Sequence, residues 1–203
     1  MTVTNEGGFP MSRLAPLNPD AAHAAAAAVG IPDYVADINV FRVLLRHPPI
    51  AKCLNDLLVP LLIKGTIDAR RRELVIMRVG WVTGSAYEWG QHFVLGPMFG
   101  APAEDLAAVR DWAADARFDA TDRAILAATD ELLAGGPVGD ATWSELTAKL
   151  PESECIELLM LVGGYQALSG VLRSLDVPLD DGLELWPPDG RPDQSGTAPD
   201  RRR

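Results

Sequence analysis

Apolar residues recur at helical spacing along almost the whole sequence, and this pattern constrains the fold more than any other feature of the chain. Gly and Pro break the apolar runs, as at residues 30–32, 47–49 and 135–137, and strand patterns with turn signals are missing. At 203 residues with 48% hydrophobic content, the chain is long enough to bury a core. The sequence therefore predicts an all-α protein of about eight helices.

Composition divides the chain into an arm, a domain and a tail. Residues 1–20 mix Gly, Pro and Asn, which favours an extended arm. Residues 21–182 are predicted to form one helical domain, with a site-bearing half at about 37–118 and a scaffold half at about 119–182. Residues 183–203 are predicted to be a disordered tail. Residues 157–165 weakly echo residues 73–81, which is consistent with a degenerate internal duplication.

Net charge and cysteine usage exclude several classes of partner. The formal charge of −10 argues against binding to nucleic acid or to an anionic membrane surface, because phosphates would be repelled. Cys53 and Cys155 lie far apart and form no Cys-x-x-Cys pair, so we expect buried thiols in a reducing cytoplasm. The sequence has no signal peptide pattern and no uncharged run of about twenty residues, so we expect no membrane span.

Residues 68–100 concentrate the candidate chemistry. Glu73 lies in the first turn of a helix predicted at about 69–81, and a second helix is predicted to begin near Ser85. Glu88 and His92 are four residues apart, so they share one face of that second helix. Two carboxylates and an imidazole are suited to moving protons. Their spacing is not diagnostic of a metal site, and no phosphate-binding loop appears, so no metal or cofactor is predicted.

Each of these residues also has a purely structural interpretation. Ser85 and Glu88 have the spacing of a capping box, and Glu73 suits the first turn of a helix by its charge alone. His92 could be an interior histidine hydrogen-bonded to Glu88. The three arginines at positions 70–72 oppose the helix dipole, so we expect either salt bridges across a subunit contact or capture of a substrate carboxylate.

The same stretch carries a resemblance. Arg72-Glu73-Leu74, followed by Tyr87-Glu88-Trp89 and His92, resembles the signature of the carboxymuconolactone decarboxylase and alkylhydroperoxidase D-like family, with similarity over roughly residues 14–181. In the peroxidase branch of that family, a Cys-x-x-Cys pair precedes the histidine. Those two positions hold Ser85 and Glu88 here, so the thiols that peroxide reduction by this route requires are absent.

The resemblance implies an alkylhydroperoxidase D-like helical fold and a small-molecule substrate. It implies catalytic roles for Glu73, Glu88 and His92, with Glu88 orienting His92 and Glu73 acting as a second acid or base. The candidate substrate contacts are Tyr87, Arg72, Ser85 and Trp89.

The expected activity is cofactor-independent proton transfer on a small acidic or carbonyl-bearing molecule, in a decarboxylation, isomerisation or dehydration. The alternatives are a peroxidase-like redox defence protein and a non-catalytic oligomer that binds a ligand. The resemblance further implies a homo-oligomer, either a trimer or hexamer of helical units or a dimer. Burial of the aromatic residues Phe93, Phe99 and Trp112 at a subunit contact would fit that assembly.

Overall fold

The computed structural model describes residues 12–191, which fold into α-helices joined by short turns. The α-helices are Pro19–Val29 (α1), Asp33–Ala36 (α2), Asn39–Leu44 (α3), Pro48–Leu62 (α4), Ala69–Thr83 (α5), Ala86–Leu95 (α6), Ala103–Ala108 (α7), Ala120–Leu133 (α8), Asp140–Thr147 (α9) and Glu152–Leu175 (α10). Two 3-10 helices, Gly96–Phe99 and Val109–Asp111, follow α6 and α7.

The all-α prediction is confirmed, since residues 12–191 contain no strand. The described range holds ten α-helices rather than about eight. One reason is that the short helix α2 is separate from α3. Ile38 has an extended backbone, with φ −83° and ψ 141°, and this interrupts the chain between α2 and α3.

Helix α5 is the central element, and it packs against α6, α8 and α10. Its first turn is capped, because the Asp68 side chain accepts a hydrogen bond from the Arg71 backbone N–H at 3.1 Å. Its last turn ends at Gly84, whose φ of 74° is left-handed. At Gly80 an added Cβ would lie 3.3 Å from the Trp89 backbone nitrogen, so the backbones of α5 and α6 approach closely.

The core consists of three apolar clusters, and two of them contain residues of α5. One apolar cluster lies between α5, α8 and α10, a second joins α1–α4 to the end of α10, and a third lies between α5, α6 and α7. Cys155 is buried in the first cluster, as expected, but Cys53 is exposed on α4, which corrects the prediction that both thiols are buried. Phe93 and Trp112 pack partly buried against the third cluster, whereas Phe99 remains exposed.

The tail prediction is corrected over residues 183–191. Trp186 packs edge-on against Trp81, with ring centroids 5.9 Å apart, and the Pro187 carbonyl accepts a hydrogen bond from Trp89 Nε1 at 2.7 Å. A single tryptophan anchors a segment whose Pro and Gly content predicted disorder. The rest of the predicted tail, residues 192–203, and residues 1–11 of the predicted arm lie outside the described residues.

Helix α10 is the only helix within residues 12–191 that is long and apolar enough to cross a bilayer. Nearly half of its most apolar stretch is buried inside the protein, at 44%. That burial is typical of a core helix in a soluble protein.

Candidate active site

Glu73 and His92 meet between α5 and α6. The Glu73 side chain is fully buried, and its Oε2 lies 2.7 Å from His92 Nδ1. Glu73 comes from the first half of α5, and His92 from the second turn of α6, so the close crossing of these helices brings them together. The partner of His92 is therefore Glu73. The expectation that Glu88 orients His92 is corrected.

Helix α10 supplies two polar side chains that the sequence analysis did not identify. Tyr165 Oη lies 3.2 Å from His92 Nε2, with the two rings edge-on, and Ser169 Oγ donates a hydrogen bond to Glu88 Oε2. Tyr165 and Ser169 are four residues apart on one helix face, just as Glu88 and His92 are. Two pairs of polar side chains, His92 with Tyr165 and Glu88 with Ser169, thus connect α6 with α10. Their only sequence signal is a polar pair at helical spacing on a buried apolar face.

Two polar atoms near these pairs have no hydrogen-bond partner among residues 12–191. They are Glu88 Oε1 and Ser85 Oγ, and both are buried. Ser85 lies near enough to Glu88 to lower the Glu88 pKa slightly, but no hydrogen bond of ordinary geometry joins the two atoms. Ser85 also leaves the α6 N-terminus uncapped, so the capping-box interpretation is wrong. Buried polar atoms without partners are rare, and of the six side-chain atoms of this kind within residues 12–191, three belong to the predicted site residues Arg72, Ser85 and Glu88.

The two carboxyl groups have pKa values displaced in opposite directions. Burial raises the pKa of Glu88 to about 8, since Ser169 and Ser85 offset it only in part. Burial also acts to raise the pKa of Glu73, but the His92 charge and hydrogen bond, together with Arg72, outweigh it and hold that pKa below its ordinary value. At neutral pH Glu88 is therefore mostly protonated, and Glu73 is ionised.

The hydrogen positions at His92 follow from these charges. An ionised Glu73 can only accept, so His92 Nδ1 carries the proton between them. Burial raises the pKa of Tyr165 well above its ordinary value, and the nearby Glu73 and Glu88 add to this, so the phenol keeps its proton. In the neutral imidazole, Nε2 accepts a hydrogen bond from Tyr165.

Arg72, predicted as a substrate contact, is occupied within the chain. Its guanidinium donates to Glu73 Oε1 at 3.0 Å and to the Leu62 carbonyl at 2.9 Å. The exposed Phe99 ring lies over it, with its centroid 4.8 Å from the Arg72 Cζ. Arg72 therefore positions Glu73, and its contact with a substrate stays a prediction.

Two further candidate contacts have structural roles instead. The Tyr87 hydroxyl donates to Asp180 Oδ2 at 2.7 Å and accepts from the Val40 N–H at 3.2 Å, so it holds the segment after α10 against α3. Trp89 is fully buried and bonded to Pro187, within an aromatic cluster. Neither side chain is free to contact a substrate in this structure.

The remaining arginines of the 70–72 run bind carboxylates of their own chain. Arg70 contacts Asp105 at 2.6 Å and Asp122 at 2.9 Å, and Arg71 contacts Asp122 at 2.9 Å. The expectation of ion pairs across a subunit contact is therefore corrected for these two side chains. No group of three or more His, Cys, Asp or Glu side chains within residues 12–191 converges closely enough to hold a metal ion.

Comparison with known proteins gives a family match over part of the chain and a fold over most of it. Residues 48–131 match the model of the carboxymuconolactone decarboxylase family. The fold is similar to an alkylhydroperoxidase AhpD core from Ralstonia eutropha JMP134, an uncharacterized peroxidase-related protein. The TM-score is 0.68 and the identity 14%, over 85% of this chain and 94% of that one. Among the curated proteins, none matches this sequence.

A second solved structure with this fold is the debrominase Bmp8. A cysteine-to-alanine variant of that enzyme, in complex with 2,3,4-tribromopyrrole, aligns with a TM-score of 0.67 and 12% identity, over 89% of this chain and 95% of that one. At such identities the likeness concerns the fold, so any activity of this chain has to be argued from its own side chains.

Proposed function

We propose that this chain, whose residues 48–131 match the model of the carboxymuconolactone decarboxylase family, is a cofactor-independent enzyme of that family and of its alkylhydroperoxidase D-like fold, and that it moves protons on a small acidic or carbonyl-bearing molecule. Decarboxylation, isomerisation and dehydration all fit this description. The observation that carries the proposal is a pair of buried carboxyl groups whose pKa values are displaced in opposite directions: Glu73, hydrogen-bonded to His92, and Glu88, which lies one helical turn before His92 on α6. Environments that separate two pKa values in this way assign an acid and a base.

Glu88 is the acid in this proposal. Ser169 occupies Oε2, which leaves Oε1 without a partner among residues 12–191 and free to donate a proton or a hydrogen bond to a substrate oxygen. A pKa near 8 keeps that proton in place at neutral pH. Ser85 Oγ, buried and also unpartnered, offers a second hydrogen bond to the same molecule.

His92 is the second proton-transfer group, and Glu73 and Arg72 position it. Glu73 fixes the tautomer through Nδ1 and stabilises the imidazolium, as a buried carboxylate does beside other catalytic histidines. In a decarboxylation, the bond to the departing carboxylate breaks and its electron pair passes into the neighbouring carbonyl as an enolate. Glu88 donates a hydrogen bond to the enolate oxygen, and His92, in its imidazolium form, delivers its Nε2 proton to the carbon and returns to the neutral imidazole.

Thiol-dependent peroxide reduction is disfavoured by the placement of the two cysteines. Cys53 is exposed on α4 and Cys155 is buried in the core, where burial raises its thiol pKa, so neither takes the positions held by Ser85 and Glu88. A peroxide-reduction assay with a dithiol donor tests this directly, and robust turnover would restore the peroxidase alternative.

Carbon dioxide release and deuterium uptake from D2O test the main proposal. Wild-type protein is incubated with small oxo acids and unsaturated carboxylic acids, and the products are followed by NMR and mass spectrometry. For any acid that turns over, His92→Gln should lower kcat/KM by about 10²- to 10⁴-fold, the usual contribution of a positioned acid or base.

The matched control is His47→Gln, because His47 is exposed at the start of α4 and its side chain forms no capping hydrogen bond. That variant should retain wild-type turnover. Equal rates for the wild type and His92→Gln would refute the proposed role of His92. Saturable binding without turnover across the whole panel would instead favour the non-catalytic ligand-binding alternative.

A further inference from the structure

The outer face of α10 is an exposed stripe without charges. Its members recur at intervals of three and four residues, and all of them are exposed to solvent. This α10 stripe consists of Ser153, Ile156, Met160, Gly163, Ala167, Gly170 and Ser174. Alternating steps of three and four are the period at which two helices pack along a shared seam.

The α10 stripe combines large and small side chains, so another helix could pack on it. Ile156 and Met160 are 63% and 49% exposed, whereas an added Cβ at Gly163 or Gly170 would meet nothing within 4 Å. Large side chains thus project from the first half of the helix, and open shallow positions lie in the second half. A helix that ran antiparallel along the stripe would bring these two halves into register.

We propose that a second copy of this chain packs on the α10 stripe, with the two α10 helices antiparallel about a twofold axis. In the register that aligns the two stripes, Met160 lies on Gly163 of the partner subunit, and Ile156 lies on Ala167 of the partner subunit. Each large side chain then meets a small one, and the twofold axis repeats both contacts.

Charge complementarity supports the same register. The position before Ser153 holds Glu152, and the position before Ser174 holds Arg173, so both flank the stripe on the same side. Both are exposed, and neither forms an ion pair within residues 12–191. The antiparallel arrangement places Glu152 beside Arg173 of the partner subunit twice, whereas a parallel arrangement would place like charges together.

The opposite face of α10 carries Tyr165 and Ser169, which contact His92 and Glu88. A partner on the stripe would therefore hold the helix that positions two side chains of the candidate site. The inference itself rests on the surface alone and does not depend on the proposed function.

Sedimentation analysis of the full chain tests the proposal over about 5 to 100 µM. We expect a dimer, or a larger assembly with an even number of subunits. Gly163→Arg has room in the isolated chain, so it should fold normally, as circular dichroism would show, yet sediment at half the wild-type mass or less. The matched control Ala27→Arg, at an exposed position of α1, should keep the wild-type mass.

A charge swap tests the register. Glu152→Arg and Arg173→Glu should each raise the dissociation constant by about tenfold, because each places like charges side by side, and the double variant should recover most of that loss. A double variant no better than either single one would overturn the antiparallel register. A monomeric wild type, or a Gly163→Arg variant with unchanged mass, would overturn the interface.

The N-terminal segment is the competing occupant. The described chain begins at Ser12, whose Oγ lies 3.1 Å from the Leu175 carbonyl at the end of α10. If the full chain is monomeric while a chain lacking residues 1–11 dimerises through the stripe, the segment covers this face and the proposal is wrong. Equal masses for the full and shortened dimers support the second copy.

Discussion

Two groups of buried charged side chains lie next to each other along α5, and they are built in opposite ways. In the first, Arg70 and Arg71 converge on Asp122, and each oxygen of that carboxylate accepts a hydrogen bond from one arginine at 2.9 Å. In the second, Glu73 is similarly paired with His92, but Glu88 keeps one buried oxygen without a partner within residues 12–191.

This difference indicates that the Asp122 group stabilises the fold, whereas the Glu73, His92 and Glu88 group is suited to chemistry on a ligand. Opposite charges in the first group satisfy each other, which stabilises the junction of α5, α7 and α8 and leaves nothing to offer a ligand. In the second group, burial raises the pKa of Glu88 to about 8, whereas His92 and Arg72 hold the pKa of Glu73 below its ordinary value. Unsatisfied buried groups are therefore a better guide to function here than burial of charge by itself.

Removing the Asp122 carboxylate should lower stability and leave the candidate site intact. Asp122→Ala leaves Arg70 and Arg71 without their common partner, so we expect the free energy of unfolding to fall by about 3 to 5 kcal/mol. Urea unfolding measures this, and activity per folded molecule should stay near the wild-type level. Asp56→Ala, which removes an exposed pair with Lys52, should leave the stability nearly unchanged. A small loss at Asp122 would mean that the two groups do not differ as described.

The contribution of Glu88 to the free energy of unfolding should depend on pH. The folded-state pKa of Glu88, near 8, lies above that of an ordinary glutamate, so the folded protein holds a proton that the unfolded chain releases. The resulting stability is complete below about pH 4.5 and is lost as pH rises to about 8, by at most about 1.4 kcal/mol per pH unit. Urea unfolding of the wild type should show this decline relative to Glu88→Gln. Parallel profiles would mean that Glu88 is ionised in the folded protein, whereas the control Glu104→Gln, at an exposed position of α7, should follow the wild type.

The sequence predicts the helices and the members of the site better than their connections. Helical spacing places Glu88 and His92 on one face, because that placement depends only on neighbours along the chain. The Glu73 contact depends on how α5 crosses α6, and Tyr165 comes from 73 residues further along. Periodicity carries no information about either crossing.

The errors have the same origin. Tyr87 and Trp89 match the family signature, but their polar atoms bind Asp180, near the end of the predicted helical domain, and Pro187, in the predicted tail, both about a hundred residues away. Local composition could not predict that Trp186 anchors this segment. The pattern therefore identified which residues surround the site, without showing which of them are already occupied.

Ser169→Ala sharpens the comparison by changing only the acid. Burial raises the Glu88 pKa, and the Ser169 hydrogen bond opposes that rise, so its removal should move the pKa further above 8. The decline of stability with pH should then extend to higher pH than in the wild type. We also expect a loss of about 1 kcal/mol in unfolding free energy at pH 7. Ser174→Ala on the exposed face of α10 is the matched control, and an identical pH profile for both variants would contradict the assignment.

The smallest expected effect concerns Tyr165. Its hydroxyl has a hydrogen-bond partner, as the carboxylate of Asp122 does, but that partner is His92, a proposed catalytic residue. Tyr165→Phe removes one buried hydrogen bond, so stability should fall by only about 1 kcal/mol. If Tyr165 has only a structural role, this loss of stability is the only expected effect. If Tyr165 positions His92, the ¹⁵N chemical shift of His92 Nε2 should also change as that nitrogen loses its donor, while Nδ1 stays bonded to Glu73. Tyr34→Phe, at a 75% exposed tyrosine, should change neither quantity. An unchanged Nε2 signal in Tyr165→Phe would assign Tyr165 to the scaffold and leave Glu73 as the side chain that orients the histidine.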